Sequence, residues 1–228
     1  VREPWRADKD LLAAQDELLQ GLIKEAGITD VEDTDVSPLD SRLRFWKGDI
    51  TTLATDAIVN AANSGMTGCW APLHYCIDNA IHTFAGTQLR YECARIMIKQ
   101  GCEEPTGQAK VTPAYNLPAK HVIHTVGPIA NGEVNDELKE QHASSYRSCL
   151  DAAVIAGDKS IAFCCISTGV FGFPAEEAAK VAVDTVREWL DQHEAACASD
   201  NSHNPAPTVV FNVFLDSDEE IYKKLLGF

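Results

Sequence analysis

Short apolar runs alternate along the chain with longer stretches in which apolar residues recur at helical spacing. The runs predict strands at residues 43–46, 57–62, 121–126, 160–166 and 208–215. The helical spacing predicts helices near residues 74–99, 134–156, 175–195 and 217–226. Strands and helices that alternate in this way predict an α/β domain with a largely parallel sheet covered on both faces. Because ligands bind at the carboxyl ends of such strands, the loops that follow them are the candidate sites.

The first 41 residues differ from the rest. Leucines at helical spacing predict a helix over residues 8–26, and residues 27–41 are acidic and contain turn-forming residues typical of a linker. We therefore divide the chain into an N-terminal extension, residues 1–41, and a main domain, residues 42–228. The simplest role for the extension is to cover an apolar face of that domain.

Charge and cysteine content exclude some classes of partner and compartment. Acidic residues outnumber basic ones by 34 to 19, a net charge of −15, which argues against binding of bulk nucleic acid. A small anion can still bind to backbone N–H groups. The sequence shows neither an apolar run long enough to span a membrane nor an export signal. We expect an intracellular, cytoplasmic protein whose eight cysteines are reduced.

The strongest chemical signal is the spacing of Cys69, His74 and Cys76 after a predicted strand. Two thiolates and an imidazole could supply three of the four ligands of zinc, with one position open to water or substrate. Two buried cysteines around a helix-capping histidine would give the same pattern. The spacing alone leaves both interpretations open.

Other polar residues near the predicted strand ends allow two interpretations each. Asp78 either caps a helix or, beside a metal, acts as a base or substrate orienter. Asn63 either satisfies loop backbone or holds sugar hydroxyls. Asp49 is either a turn residue or helix N-cap, or an acceptor for an exocyclic amine. The glycine-rich segment 167–174 matches no standard nucleotide motif, yet its N–H groups could bind a phosphate.

Five motifs then occur together in one order. They are GDIT (48–51), IVNAANS (58–64), TGQA (106–109), HVIHTVGP (121–128) and STGVFGFP (167–174). Together with the ending at residues 213–222 they closely resemble the macrodomain family, in particular its MacroD-type branch, over about residues 42–226. That resemblance implies a three-layer α/β/α fold with a mixed, largely parallel central sheet that binds ADP-ribose.

The assignment of a metal site depends on one departure from the MacroD-type pattern. Members of that branch have a run of glycines before the catalytic loop, where this chain has Cys69 to Cys76. The departure resembles the zinc-dependent subclass, whose members also carry an N-terminal helical extension. The resemblance implies Zn²⁺ bound by Cys69, His74 and Cys76.

The resemblance also implies roles for the other residues. Asp49 would accept from the adenine amine with Ile50 beside it, and Phe214 would flank the adenine. The diphosphate would be wrapped by the backbone of Ser167, Thr168, Gly169, Val170, Phe171, Gly172 and Phe173, with Phe171 also against the distal ribose. Asp78 aligns with the catalytic aspartate, while Asn63 and Asn79 would hold the distal ribose.

The expected function is zinc-dependent removal of mono-ADP-ribose from modified proteins, at sites linked through Asp or Glu. The partners would be a mono-ADP-ribosylated protein as substrate and ADP-ribose as product. Two alternatives stay open: a reader that binds ADP-ribose without cleaving it and carries structural zinc, and an esterase that acts on O-acetyl-ADP-ribose.

Overall fold

The computed structural model describes residues 3–71, 73–200 and 205–228. Its main sheet has seven strands in the order β2-β3-β9-β8-β5-β7-β6. These are β2 (Asp35–Val36), β3 (Leu43–Lys47), β5 (Ala57–Ala61), β6 (Ala109–Pro113), β7 (His121–Thr125), β8 (Ser160–Phe163) and β9 (Thr208–Val213). The two edge strands β2 and β6 run antiparallel to their neighbours, and the other pairings are parallel. The predicted mixed, largely parallel sheet is confirmed.

Helices cover both faces of this sheet. They are α1 (Lys9–Ala26), α2 (Ile77–Ala85), α3 (Thr87–Gln100), α4 (Asp136–Ala156), α5 (Ala175–Asp200) and α6 (Asp216–Leu226). The first three helices pack with one another, and the last three form a second group. Strands β5 and β8 are apolar along most of their length because both of their faces are buried, as strands between two helical layers require.

The extension docks through an apolar stripe and two glutamines. Helix α1 begins after Asp8, whose carboxylate accepts from the Leu11 N–H at 2.8 Å, and it buries Leu19 and Ile23. Gln15 Oε1 accepts from the N–H of Thr87 at 2.9 Å, and Gln20 Nε2 donates to Asn116 Oδ1 at 3.0 Å. The helix predicted over residues 8–26 is therefore present and packed on the domain.

The structure differs from the predicted elements in three places. The helix expected over residues 74–99 is two helices, because Gly86 interrupts it with a φ of 96°. Strand β6 was not predicted, since its sequence is only partly apolar. The segment 27–41, expected as a linker, contains β2 and also β1 (Thr29–Asp30), which pairs with β4 (Leu53–Ala54) in a small separate sheet. Part of this segment therefore belongs to the sheets of the main domain.

The parallel core brings the candidate loops together. Strands β3, β9, β8, β5 and β7 all end at the same edge of the sheet, so the segments that follow them share that edge. No helix in the described ranges is long and apolar enough to cross a lipid bilayer.

Candidate active site

Asp78 lies in the first turn of α2 and is almost completely buried, with 5% exposure. Its two carboxylate oxygens accept from different asparagines. The Asn60 amide donates to Oδ1 at 2.8 Å, and the Asn63 amide donates to Oδ2 at 3.3 Å. Burial raises the pKa of Asp78 to about 6, while these hydrogen bonds and the nearby Arg90 charge act in the opposite direction. The carboxyl is thus held in a fixed orientation with a pKa close to neutral.

Three buried residues behind this aspartate were not among the predicted site residues. His124 Nδ1 lies 3.1 Å from the Asn60 amide nitrogen. His124 Nε2 lies 3.0 Å from Thr112 Oγ1, and His82 Nε2 lies 3.6 Å from Asp78 Oδ1. The signal that could have found them is a polar residue within a buried strand, because Asn60 and His124 occupy paired positions of β5 and β7.

The loop of residues 69–76, here called the cysteine loop, leads directly into α2. Cys69 Sγ lies 3.3 Å from His74 Nδ1, and the Cys76 thiol caps α2 by accepting from the Asn79 N–H at 3.5 Å. The donor atoms of these three loop residues all lie within 4.8 Å of one another. The fold therefore brings the three predicted ligands together.

The chemistry of this donor set fits a soft divalent cation. Burial raises the pKa of the Cys76 thiol, and the adjacent Cys69 raises it further. Two neighbouring thiolates are therefore unfavourable unless a cation holds them, and zinc binds such thiolates directly. All three side chains are partly exposed, so a fourth position can face solvent.

Asn79 supports the cysteine loop. Its side-chain amide donates to the carbonyl of His74 at 2.8 Å and to that of Ala71 at 3.3 Å. Its predicted role as a ribose contact stays a prediction, since both described contacts are to the loop. Arg90, which was not predicted, lies over the Trp70 ring at 5.0 Å and so joins this loop to α3.

The second loop at this edge, residues 167–174, is here called the glycine loop. Ser167 is buried in a left-handed conformation with a φ of 63°. The Gly172 N–H donates to Gly169 O and the Phe173 N–H to Ser167 O, both at 3.0 Å. Within the described residues, no hydrogen bond uses the N–H groups of residues 168–171. Those groups on Thr168, Gly169, Val170 and Phe171 are the ones that can bind an anion.

A neighbouring loop braces the glycine loop from behind. The Ala130 and Asn131 N–H groups both donate to Phe171 O, and the Gly132 N–H donates to Gly172 O at 2.7 Å. The Phe173 ring is buried and stacks on His142 at 4.6 Å between centroids. Val170, by contrast, is 75% exposed at the tip. The loop is therefore fixed at its base and exposed at its tip.

The residues predicted for the adenine lie at the ends of β3 and β9. Asp49 caps a short 3₁₀ helix, accepting from the N–H of Thr51 at 2.9 Å, and the following Ile50 is buried. Phe214 is 51% exposed, and its ring centroid lies 6.0 Å from that of Tyr75 in the cysteine loop. The cysteine loop thus reaches from Asp78 toward the predicted adenine end of the cleft.

Comparison with known proteins assigns this arrangement to a family. The model of the Macro domain matches residues 59–182, more than half of the chain. The chain belongs to the macro domain family. It is 54% identical to a protein of Treponema medium named Protein-ADP-ribose hydrolase, over 100% of this chain and 84% of that protein. A protein of the same name from Staphylococcus aureus strain MRSA252 is 46% identical over 98% of this chain and 80% of its own length.

Solved macrodomains share the fold. The Trypanosoma brucei macrodomain in complex with ADP-ribose aligns with a TM-score of 0.74 at 29% identity, covering 98% of this chain and 92% of that one. The Oceanobacillus iheyensis macrodomain with MES bound aligns with a TM-score of 0.70 at 35% identity, covering 81% and 90%. The match to the first structure extends over nearly the whole chain, including the region of α1.

Proposed function

We propose that this macrodomain is a hydrolase that releases mono-ADP-ribose from modified proteins, that it depends on zinc, and that it acts on Asp- and Glu-linked sites. The observation that carries the proposal is the buried Asp78 carboxyl beside a Cys-His-Cys loop, at the carboxyl-terminal edge of the sheet, where ligands of open α/β sheets bind. The name shared by relatives at 46–54% identity supports hydrolysis of ADP-ribosylated proteins.

The described loops suit the parts of ADP-ribose in order. Asp49 and Phe214 would meet the adenine at the ends of β3 and β9. The N–H groups of residues 168–171, which make no hydrogen bond within the described residues, would receive the diphosphate without any basic side chain, which agrees with the acidic composition. The distal ribose would then lie between the glycine loop and Asp78. The chain's net charge of −15 therefore does not exclude binding of this anion, because the donors are backbone N–H groups.

Cys69, His74 and Cys76 would hold the zinc ion, which would supply Lewis acidity beside the distal ribose. Asp78 is positioned by two amide donors and would orient the attacking water or a ribose hydroxyl. Its pKa of about 6 leaves it mostly ionised at neutral pH and able to accept a proton. Asn63 would contact the ribose with the same side chain that steadies Asp78.

The test measures bound zinc and ADP-ribose release together. Purified protein is assayed on a Glu- or Asp-modified protein before chelation, after chelation and after zinc is restored. We expect near-stoichiometric zinc, loss of turnover on chelation and recovery with zinc. Asp78→Asn should retain zinc and ADP-ribose binding but lose turnover by roughly 10³-fold. Losses of this size follow when one side chain that stabilises the transition state is removed.

Asp158→Asn is the matched control. Asp158 is also buried with a raised pKa, but it pairs with His121 at the opposite edge of the sheet. Zinc and ADP-ribose binding without turnover on carboxylate-, serine- or acetyl-linked substrates would make the protein a reader. Turnover of free O-acetyl-ADP-ribose alone would make it an esterase.

A further inference from the structure

A chain of buried side chains runs from Asp78 into the sheet. The Asn60 amide nitrogen lies 2.8 Å from Asp78 Oδ1 and 3.1 Å from His124 Nδ1. On the far side of the imidazole, Nε2 lies 3.0 Å from Thr112 Oγ1. Asn60, His124 and Thr112 are exposed by 1% or less. No solvent therefore competes for these contacts.

The donors and acceptors in this chain can be assigned from its geometry. Thr112 Oγ1 lies 3.4 Å from Val122 O and 3.0 Å from His124 Nε2; we assign its hydrogen to the carbonyl, which leaves the oxygen to accept from His124 Nε2–H. The imidazole is neutral, because complete burial lowers the pKa of His124 to about 3. With its one hydrogen on Nε2, Nδ1 is an acceptor and takes the second hydrogen of the Asn60 amide.

This assignment explains why the Asn60 amide faces Asp78 with nitrogen and not with oxygen. The Asn60 Oδ1 atom is buried and has no hydrogen-bond partner among the described residues, so nothing on the oxygen side selects the orientation. The selection comes from the two acceptors on the nitrogen side, Asp78 Oδ1 and His124 Nδ1. The other tautomer of His124 would present N–H to N–H and favour a flipped amide, with its oxygen against the carboxylate.

We infer that His124, held as its Nε2–H tautomer by Thr112, is a positioning residue for the hydrolysis, because it fixes the amide of Asn60 and thereby the carboxylate of Asp78. This inference rests on the proposed hydrolase function.

The same cluster also has the atom types that bind metals. Cys93 Sγ lies 3.7 Å from His124 Nε2, and His82 lies beside them. The Thr112 contact already uses the ring nitrogen that such a metal would need.

The test compares two replacements of His124. His124→Asn places a carbonyl oxygen near the position of Nδ1, whereas His124→Leu removes the acceptor. We expect His124→Leu to lower kcat by roughly 100-fold, with little change in KM or in zinc content, as a misplaced catalytic group does. His124→Asn should recover most of that loss. Thr112→Val, which keeps the ring but frees its tautomer, should lower kcat by an intermediate factor.

His121→Leu separates positioning from loss of stability. His121 lies on the same strand, and its Nδ1 bonds to Asp158 at 2.8 Å, away from Asp78. This variant should lower the unfolding temperature without changing kcat. Equal losses of kcat in His124→Asn and His124→Leu, or unchanged kcat in His124→Leu and Thr112→Val, would overturn the inference.

Nitrogen NMR tests the inference independently of turnover. The wild-type spectrum should show His124 protonated at Nε2 only, and the Asn60 side-chain amide signals should move in His124→Leu and less in His124→Asn. A His124 ring protonated at Nδ1, or Asn60 signals unmoved in His124→Leu, would contradict the assignment even in a protein that hydrolyses nothing. A protein that shows the expected spectra but no turnover would instead refute the proposed function.

Discussion

The glycine loop and the cysteine loop follow neighbouring strands, β8 and β5, at the same edge of the sheet, but they are held by different bonds. The backbone of the glycine loop bonds to itself and to residues 130–132, and its Phe173 ring is anchored in a buried cluster. The cysteine loop relies more on side chains. Asn79 donates to two of its carbonyls, and Arg90 lies against Trp70.

The two loops therefore differ in what completes them. The glycine loop already has its conformation and offers unused N–H groups, which suits an anion that arrives and leaves with each turnover. The cysteine loop brings together three donor atoms, and two of them, the Cys69 and Cys76 sulfurs, repel each other as thiolates. A bound cation would therefore stabilise both the loop and the site. Three variants test this difference.

Cys76→Ser should give the largest effect. It removes one proposed zinc ligand at the N-cap of α2, two residues before Asp78. We expect loss of bound zinc, a fall in turnover on the order of 10³-fold, and faster hydrogen exchange in residues 69–76 but not in residues 167–174. Metal analysis, turnover and exchange mass spectrometry measure these effects. Cys102→Ser, at an exposed cysteine, is the control.

Equal acceleration of exchange in both loops would show that they are not held independently. Unchanged zinc content in Cys76→Ser would remove this cysteine from the ligand set and leave it only its contact as the N-cap of α2.

Gly172→Ala should damage the glycine loop by an intermediate amount. Gly172 has a φ of 65°, and an added Cβ would lie 3.2 Å from Asn131 Cα on the bracing loop. The strain should cost about 1–3 kcal/mol of stability and weaken ADP-ribose binding, while zinc content stays unchanged. Calorimetric unfolding and binding titration measure this. Gly169→Ala, where no atom lies within 4 Å of the added Cβ, should unfold as the wild type does.

Most of the fold could be predicted from the sequence because the central strands are buried on both faces and are mostly apolar. The missed strand β6 lies at an edge, where its polar residues remain partly exposed and give no such run. The break between α2 and α3 was missed because a single Gly86 within a helical pattern is a weak signal.

The candidate site was likewise predicted only in part. Its loops could be located because they follow recognisable strands, and the spacing of Cys69, His74 and Cys76 marked them as candidate ligands without deciding whether they bind a metal. The support of Asp78 could not be predicted, because His124 comes from a strand more than forty residues further along the chain and is brought to Asn60 only by the pairing of β5 with β7. The one local signal is a polar residue within each buried strand, and it does not show which residues of the two strands meet.

The smallest effect at neutral pH is expected at the base of the glycine loop, where His142 changes stability only in acid. His142 stacks on Phe173, and burial lowers its pKa to about 4, against about 6.5 in an unfolded chain. Between these values the unfolded state binds more protons, so stability falls as the pH falls from 6.5 toward 4, by up to about 1.4 kcal/mol per pH unit for each such histidine. The buried His124 contributes in the same direction.

His142→Gln removes one of the groups that bind a proton only on unfolding. The free energy of unfolding should therefore depend less steeply on pH between 6.5 and 4, as measured by denaturant unfolding across that range. A curve of unchanged slope would mean that acid acts on the molecule elsewhere, and that the glycine loop's base is insensitive to this histidine's charge.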